Sequence, residues 1–373
     1  MNEKNDFALV KRPPSTVEKA ELGAKRILSG MVVDTLALVS RQQSSTAVID
    51  DALLESWYQT GKRCPHARGV PKNQTEAAQW FRKAAVHDHA GAQYELGYLY
   101  DWDRDYAEAM KWYRRAAEQD YVRAQCELAR YYKYGRGVEK DYAEAVKWYR
   151  RAAEQNYADA QVNLGWCYEG GRGVEENYVE AVKWYRKAAE QNHESALVCL
   201  GLCYAEGKGV ETDCIAAVEW YRECIEQYDS KWAKYELGRC FAKGQGVEMN
   251  YVEAVKWYRE AAERGWTFPP AQYELGLSYE NGLGVEKDFA EAVKWYREAA
   301  ERGEPHGQFS LGRCYRSGKG VVKDMIEAYK WFHIASERGH QDASKELVST
   351  RALLSLEEVE DGTRRYRGFK AKR

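Results

Sequence analysis

A tryptophan followed at once by a second aromatic ring recurs at near-regular spacing in this chain, at Trp80, Trp112, Trp148, Trp184, Trp220, Trp257, Trp295 and Trp331. Successive separations are 32, 36, 36, 36, 37, 38 and 36 residues. Each pair sits in an alanine-rich segment. After a short break come A-x-x-x-L-G-x-x-Y and a G-x-G-V turn, and Asp141 to Asn177 is the fullest copy. A fixed period in this range marks a solenoid, because each unit is too small to bury its own apolar face and must stack on its neighbours. The expected fold is all-α: an α-solenoid of about eight helix-turn-helix repeats of roughly 36 residues.

Composition agrees. Seven prolines in 373 residues, with abundant Ala, Glu, Lys and Tyr, favour helix, and few segments resemble strands. Lys+Arg 56 against Asp+Glu 58 leave no global charge bias, so bulk electrostatics points neither to nucleic acid nor to an anionic membrane. The start, MNEKND, has no apolar core behind it, so no secretory signal is expected. The most apolar run, Ile27 to Val39, is interrupted by Asp34 and too short for a transmembrane segment, which makes a cytoplasmic location the default expectation. Four of the nine cysteines, Cys167, Cys203, Cys240 and Cys314, share one repeat position. Stacked helices lie about 8–10 Å apart, farther than a disulfide tolerates, so these read as small buried hydrophobes.

Three parts are expected: an arm with one amphipathic helix over 1–45, the array over 46–350, and a short helix with a basic tail over 351–373. Val17, Ala20, Ala24, Ile27, Leu28 and Met31 carry helical spacing in the arm, which either caps the first repeat or orders on a partner. The first repeat reads as irregular, with Leu54 and Tyr58 in the L-G-x-x-Y frame, no glycine, and an insertion around Cys64-Pro65-His66. The second lacks the four-residue turn after Tyr100. Ser355 and Glu358 fit a capping box, and the last ten residues hold six basic ones.

In the fourth unit, Ala160, Leu164, Cys167 and Tyr168 line the buried stripe of the first helix. Glycine in a helix interior costs about 1 kcal/mol relative to alanine. Its presence at the Gly165 position in six of eight units therefore implies close helix packing. The first helix is expected to end on a left-handed cap at Gly171. In the second helix, Ala181, Val182, Tyr185, Ala188 and Ala189 are expected to be buried, and Lys183, Arg186 and Glu190 solvated, with Arg186 and Glu190 paired.

These motifs resemble the Sel-one-like repeat (SLR) family, relatives of the tetratricopeptide repeats, over residues 49–346. The resemblance implies a right-handed superhelix of helix pairs that binds proteins or peptides and serves as an adaptor in bacterial and eukaryotic complexes. Some secreted members staple each repeat with two cysteines about eight residues apart. That pairing is missing here, in keeping with a reducing compartment.

Residues that invite a catalytic or metal-binding reading are explained by the repeat. No strand precedes the G-x-G turns, and GK is never followed by Ser or Thr, so they are structural turns rather than phosphate loops. His89, His193 and His340 share one inter-repeat slot, and His87 stands beside the first of them. Cys199 and Cys203 make at most half a zinc site. Some relatives carry β-lactamase labels, but no serine begins S-x-x-K and K-T-G is absent. No enzyme activity, metal or cofactor is expected.

A binding surface is sought opposite the buried stripe of the first helices, at the slots of Val162, Trp166 and Glu169. The candidate peptide-binding residues there are Tyr94, Tyr98, Arg130, Trp166, Leu202, Tyr235, Arg239, Tyr273, Leu277, Phe309, Arg313 and Arg316. In related solenoids the first helices line the concave groove, and Tyr, Trp, Phe and Arg are the residues of interface hot spots. Alternatively, the Val162 slot packs sideways between adjacent first helices. The expected function is a non-catalytic scaffold that binds a protein or peptide in the groove. The alternative is a spacer or regulatory subunit whose N-terminal helix and basic tail bind nucleic acid, acidic protein or membrane. Salt separates them: tail binding to a polyanion should weaken steeply with ionic strength, whereas aromatic groove binding should not.

Overall fold

A computed structural model of the chain describes residues 50–64, 71–263 and 268–371. The arm expected over 1–45 lies outside the described residues, as does most of the inserted GWTFPPA stretch. All eighteen described elements are helices. They fall into two compact units, 1–87 and 88–373.

In the smaller unit, α1 (Asp51–Arg63) packs on α2 (Pro71–Ala85). Gly61 meets the ring of Phe81, and a Cβ there would lie 2.6 Å from that ring. This corrects the register of the first repeat. Gly61 precedes Phe81 by the spacing that separates Gly165 from Tyr185, so the glycine is present and no insertion is needed.

In the larger unit the first helices are α3 (Ala90–Trp102), α5 (Val122–Tyr134), α7 (Ala158–Glu169), α9 (Glu194–Glu206), α11 (Lys231–Lys243), α13 (Pro269–Asn281) and α15 (Pro305–Ser317). Their second helices are α4 (Tyr106–Glu118), α6 (Tyr142–Glu154), α8 (Tyr178–Ala189), α10 (Cys214–Tyr228), α12 (Tyr251–Glu263), α14 (Phe289–Glu301) and α16 (Met325–Glu337). Each second helix packs on its own first helix and then on the next one, which makes an all-α solenoid.

The tightest contact within a pair is a glycine against a ring. A Cβ on Gly165 would lie 2.3 Å from Cε1 of Tyr185, and Gly97, Gly201, Gly238, Gly276 and Gly312 meet Tyr113, Tyr221, Tyr258, Tyr296 and Phe332 in the same way. Glycine thus fills this slot in seven units rather than six, with Ala129 in the third. The rings involved are almost fully buried.

The turn between paired helices is anchored at both ends. Asn177 donates its backbone N–H to the Tyr168 carbonyl at 2.9 Å, and its side chain accepts from Glu180 N, capping α8. The same backbone bond joins Asp141 to Tyr132 and Asp288 to Tyr279. In the shortened second repeat Asp105 still reaches Tyr100, so losing four residues leaves the anchor intact. The second turn glycine, Gly173, has φ +74°, and a Cβ there would lie 2.2 Å from the carbonyl oxygen of Tyr142 in the preceding repeat. The helix before it ends at Glu169 on a Gly170 cap, one residue earlier than expected, with Gly171 in the left-handed region.

A buried glutamine links neighbouring units. Gln161 donates to the Ala153 carbonyl at 3.2 Å and to Asn156 at 3.0 Å, while its oxygen accepts from Gln191 at 2.8 Å. Gln125 repeats this with Ala117, Asp120 and Gln155. The ladder breaks at Leu197, which takes the glutamine position. On the outer face the expected Arg186–Glu190 pair is replaced. Lys183 pairs with Glu180 at 2.5 Å, and Arg186 donates to the Tyr204 hydroxyl of the next unit at 2.9 Å.

After Ser317, α17 (Ala343–Arg351) stacks on α16 as a half-repeat, with Val348 in the glycine slot and 69% exposed. A side chain there cannot admit a ring as glycine does, so the regular pattern ends. The capping box forms, Ser355 N to Glu358 at 2.8 Å, and opens α18 (Leu356–Ala371). This corrects the expectation of a short helix followed by a basic tail. Four of those basic residues, Arg364, Arg365, Arg367 and Lys370, lie within α18, which docks on α16: Tyr366 is buried, and Arg365 pairs with Glu327 at 2.9 Å.

Gly165→Leu should destabilise the protein by about 1–3 kcal/mol or more through overpacking against Tyr185, whereas Lys183→Ala should stay within about 0.5 kcal/mol, both read from denaturant melts.

Candidate functional site

The face of each first helix turned away from its second helix carries three slots from the sequence reading, and they behave differently. The Val162 slot is a packing position. Val162, Val198 and Cys126 are buried. The aromatic members Tyr94, Tyr235, Tyr273 and Phe309 are half-buried between units, which follows the sideways-packing alternative for this slot rather than an open binding wall. Tyr235 lies 6.0 Å from Tyr258 of its own pair and 5.2 Å from Phe268 of the next, measured between ring centroids. Tyr273 meets Tyr296 and His306, and Phe309 stacks on His340 at 4.1 Å. Each ring therefore seals a joint, and Tyr235→Ala would loosen the fold rather than spare it.

The Trp166 slot faces outward more. Tyr98 is 48% exposed, and Arg130 and Arg313 are exposed. Trp166, Leu202, Arg239 and Leu277 are half-buried. Neighbouring units touch across this slot: Trp166 donates its ring N–H to Cys199 Sγ at 3.3 Å, and Lys133 lies 5.5 Å from the Trp166 ring. Lys133 also donates to Asn163 at 3.1 Å. Trp166, Cys199 and Leu202 thus form an apolar centre carried by α7 and α9.

The Glu169 slot is used internally. Glu169 accepts from the buried Tyr185 hydroxyl at 2.6 Å, and Glu280 from Tyr296 at 2.5 Å. In the third unit Lys133 occupies that slot, and the buried Tyr149 hydroxyl has no side-chain or backbone partner among the described residues. Arg316 is likewise spent, pairing with Glu346 and donating to Ser349 of α17 at 3.2 Å.

The sequence reading missed the slot of Asn163, which holds Glu127, Glu236 and Glu274. Glu127 pairs with Arg130 at 2.9 Å and Glu236 with Arg239 at 2.8 Å. Glu274 has Leu277 at the corresponding position, and the positive charges that act on it most are Arg239 and Lys243 of the preceding unit. Burial raises the pKa of all three carboxyls above the usual range, and the neighbouring arginines offset it only in part. Spacing could have revealed them, since each lies three residues before the Trp166 slot. The face as a whole is an apolar centre between two charged ends, suited to holding a side-chain-rich ligand. Among the described residues no group of three or more His, Cys, Asp or Glu is placed to hold a metal ion, and no helix is long and apolar enough to cross a membrane.

A raised carboxyl pKa means that the folded state binds the proton more tightly than the unfolded one, so ionised Glu274 opposes folding above its folded pKa. Glu274→Gln should therefore stabilise the protein at neutral pH. The gain should shrink as pH falls through the folded pKa toward 4.5, the usual glutamate value, as read from paired thermal melts between about pH 7.5 and 4.

A family profile described as Sel1 repeat matches residues 56–89, 90–121, 122–157, 158–193, 196–229, 233–266, 269–304 and 305–340. The crystal structure of a Sel1 repeat protein from Oxalobacter formigenes is 35% identical, covering 67% of this chain and 98% of that one, with a TM-score of 0.60. A protective antigen present in uropathogenic Escherichia coli strains, displaying an SLR fold, is 28% identical over 86% of this chain and 85% of that one, with a TM-score of 0.44. Comparison with curated proteins gives no match.

Proposed function

The chain belongs to the Sel1 repeat family, and from that membership we propose that it is a non-catalytic scaffold whose first-helix face binds a peptide segment of a partner protein. The observation that carries this reading is the half-exposed apolar pair Trp166 and Leu202, with the Trp166 ring N–H donating to the buried Cys199. Pairs Glu127–Arg130 and Glu236–Arg239 flank it on successive units. Trp and Arg supply most of the energy at protein interfaces, and their best positions combine a desolvated centre with a polar rim. The flanking carboxylates and guanidinium groups are already paired in the free protein. A ligand segment with apolar residues in the middle and charges of both signs at its ends fits this order better than a purely acidic one.

The alternative, a spacer or regulatory subunit whose N-terminal helix and basic tail do the binding, is less well supported at the tail, where part of the positive charge is already paired. Arg365 is held by Glu327 and Asp361, and Lys370 reaches Glu337 at 3.4 Å. Balanced overall charge also gives no long-range attraction to nucleic acid. The scaffold is proposed to act without a cofactor and in the cytoplasm.

Trp166→Ala with Leu202→Ala should weaken capture of the natural partner by at least about 2 kcal/mol, the scale of an interface hot spot. Arg364→Ala with Arg367→Ala, on the outer face of α18, should leave capture unchanged. Quantitative affinity purification with both variants decides. Normal binding by the first and lost binding by the second would move function to the C-terminal helix.

A further inference from the structure

The second helices carry an outer stripe whose use the C-terminal end of the chain reveals. On α16 this stripe is Ile326, Lys330, His333 and Glu337, and α18 lies along it. Gly362 sits against Ile326 and Tyr329, Lys330 lies 5.9 Å from the Phe369 ring, and the Tyr366 ring lies tilted 4.1 Å from that of His333. Glu337 accepts from the Tyr366 hydroxyl at 2.5 Å and pairs with Lys370 at 3.4 Å. An aliphatic residue at the start and a glutamate at the end thus frame a seat for a helix with aromatic and basic side chains.

On α16 Lys330 also pairs with the glutamate three residues earlier, Glu327, at 2.7 Å, and elsewhere the equivalent charges are spent within the array in the same way. Lys111, Lys147, Lys183 and Lys256 each pair with the glutamate three residues earlier. Arg114, Arg150, Arg186, Arg259 and Arg297 each donate to a tyrosine hydroxyl of the next unit at 2.6–2.9 Å. The stripe begins with alanine on α4, α6 and α14.

Helix α10 departs from the lysine and arginine patterns, and like α8 and α12 (Val179, Val252) it starts with an exposed aliphatic residue rather than alanine. Its stripe is Ile215, Glu219, Arg222 and Glu226, all exposed, with Ile215 64% accessible. Ala216 and Glu219 replace the Glu–Lys pair, and Phe241 occupies the position of the tyrosine that accepts from this arginine in other units. The stripe therefore carries two carboxylates, Glu219 in place of a lysine and Glu226, and neither forms an ion pair among the described residues. A cavity of about 550 Å³, lined by Arg186, Tyr204, Val210, Glu211, Thr212 and Asp213, opens beside the N-terminal end of the helix.

We propose that the outer stripe of α10 is a second docking surface, taking a basic, aromatic amphipathic helix of a partner protein as α16 takes α18. Ile215 supplies the apolar contact that Ile326 gives to α18. Glu226 occupies the position of Glu337, which holds a tyrosine hydroxyl and a lysine ammonium. Glu219 reverses the charge of Lys330, so the incoming helix must carry a cation where α18 carries Phe369. The surface lies on the second helices and is separate from the first-helix face proposed above.

The probe is a fluorescently labelled synthetic peptide of residues 355–371 with Phe369 replaced by arginine, titrated with the full chain and read by anisotropy. Saturable binding is expected, weakened at least tenfold by Ile215→Lys with Glu219→Lys and unchanged by Lys147→Glu on the equivalent stripe of α6. Both are surface changes, and far-UV circular dichroism confirms the fold. Absence of binding, equal binding of a scrambled peptide, or binding indifferent to the α10 changes would overturn the proposal. The last result would place the peptide on α16, in competition with α18.

Discussion

Glycine against an aromatic ring is the contact on which the array depends. With no Cβ at Gly165, the first helix presents a notch, and the Tyr185 ring lies flat enough in it that a methyl group would stand 2.3 Å from Cε1. The entropic cost of glycine within a helix, about 1 kcal/mol, is offset by burying a whole tyrosine ring. Because the notch admits the ring in one place, it sets both the axial register and the distance of each pair. The rest of the unit is built around that distance: the carbonyl of Tyr168 meets Asn177, and the Glu169 carboxylate reaches the Tyr185 hydroxyl.

Between pairs the chain uses different devices. Gly173 abuts the backbone of the preceding repeat, Gln161 ties three chain segments together, and the rings at the Val162 slot close the joint. These inter-unit contacts consume side chains that otherwise resemble a binding surface. What remains for a ligand is the narrower strip of Trp166, Leu202 and the paired charges. A solenoid thus separates joint from surface by small angular differences on one helix. Val162 and Trp166 are four residues apart, yet one is buried and the other half-open.

Much of this was legible in the sequence, and the limits have physical causes. The period and the pairing of helices recur eight times and the paired turn glycines six times, so chance deviations average out. The first repeat was misread because Leu54 and Tyr58 imitate the motif, whereas the true marker is the distance from Gly61 to Phe81. Tyr94, Tyr235, Tyr273 and Phe309 looked like hot spots because a helical wheel of one helix does not know where the next helix stands. The glutamine ladder went unseen for the same reason: each rung is completed by a residue about thirty positions away. The tail was judged by its charge, although Tyr366 and Phe369 within it carry the spacing of a docking face.

The central claim, that absence of a Cβ at the glycine slot exists to admit the ring, is tested by a double-mutant cycle on Gly165→Ala and Tyr185→Leu, with stability read from denaturant unfolding. If the ring fills the notch, Gly165→Ala destabilises the parent protein but costs much less in the Tyr185→Leu background, where no ring opposes the methyl group. A coupling energy above about 1 kcal/mol is predicted, within the range for residues in direct contact. Additive costs in the two backgrounds would contradict the account and leave the recurrent glycine without a packing role.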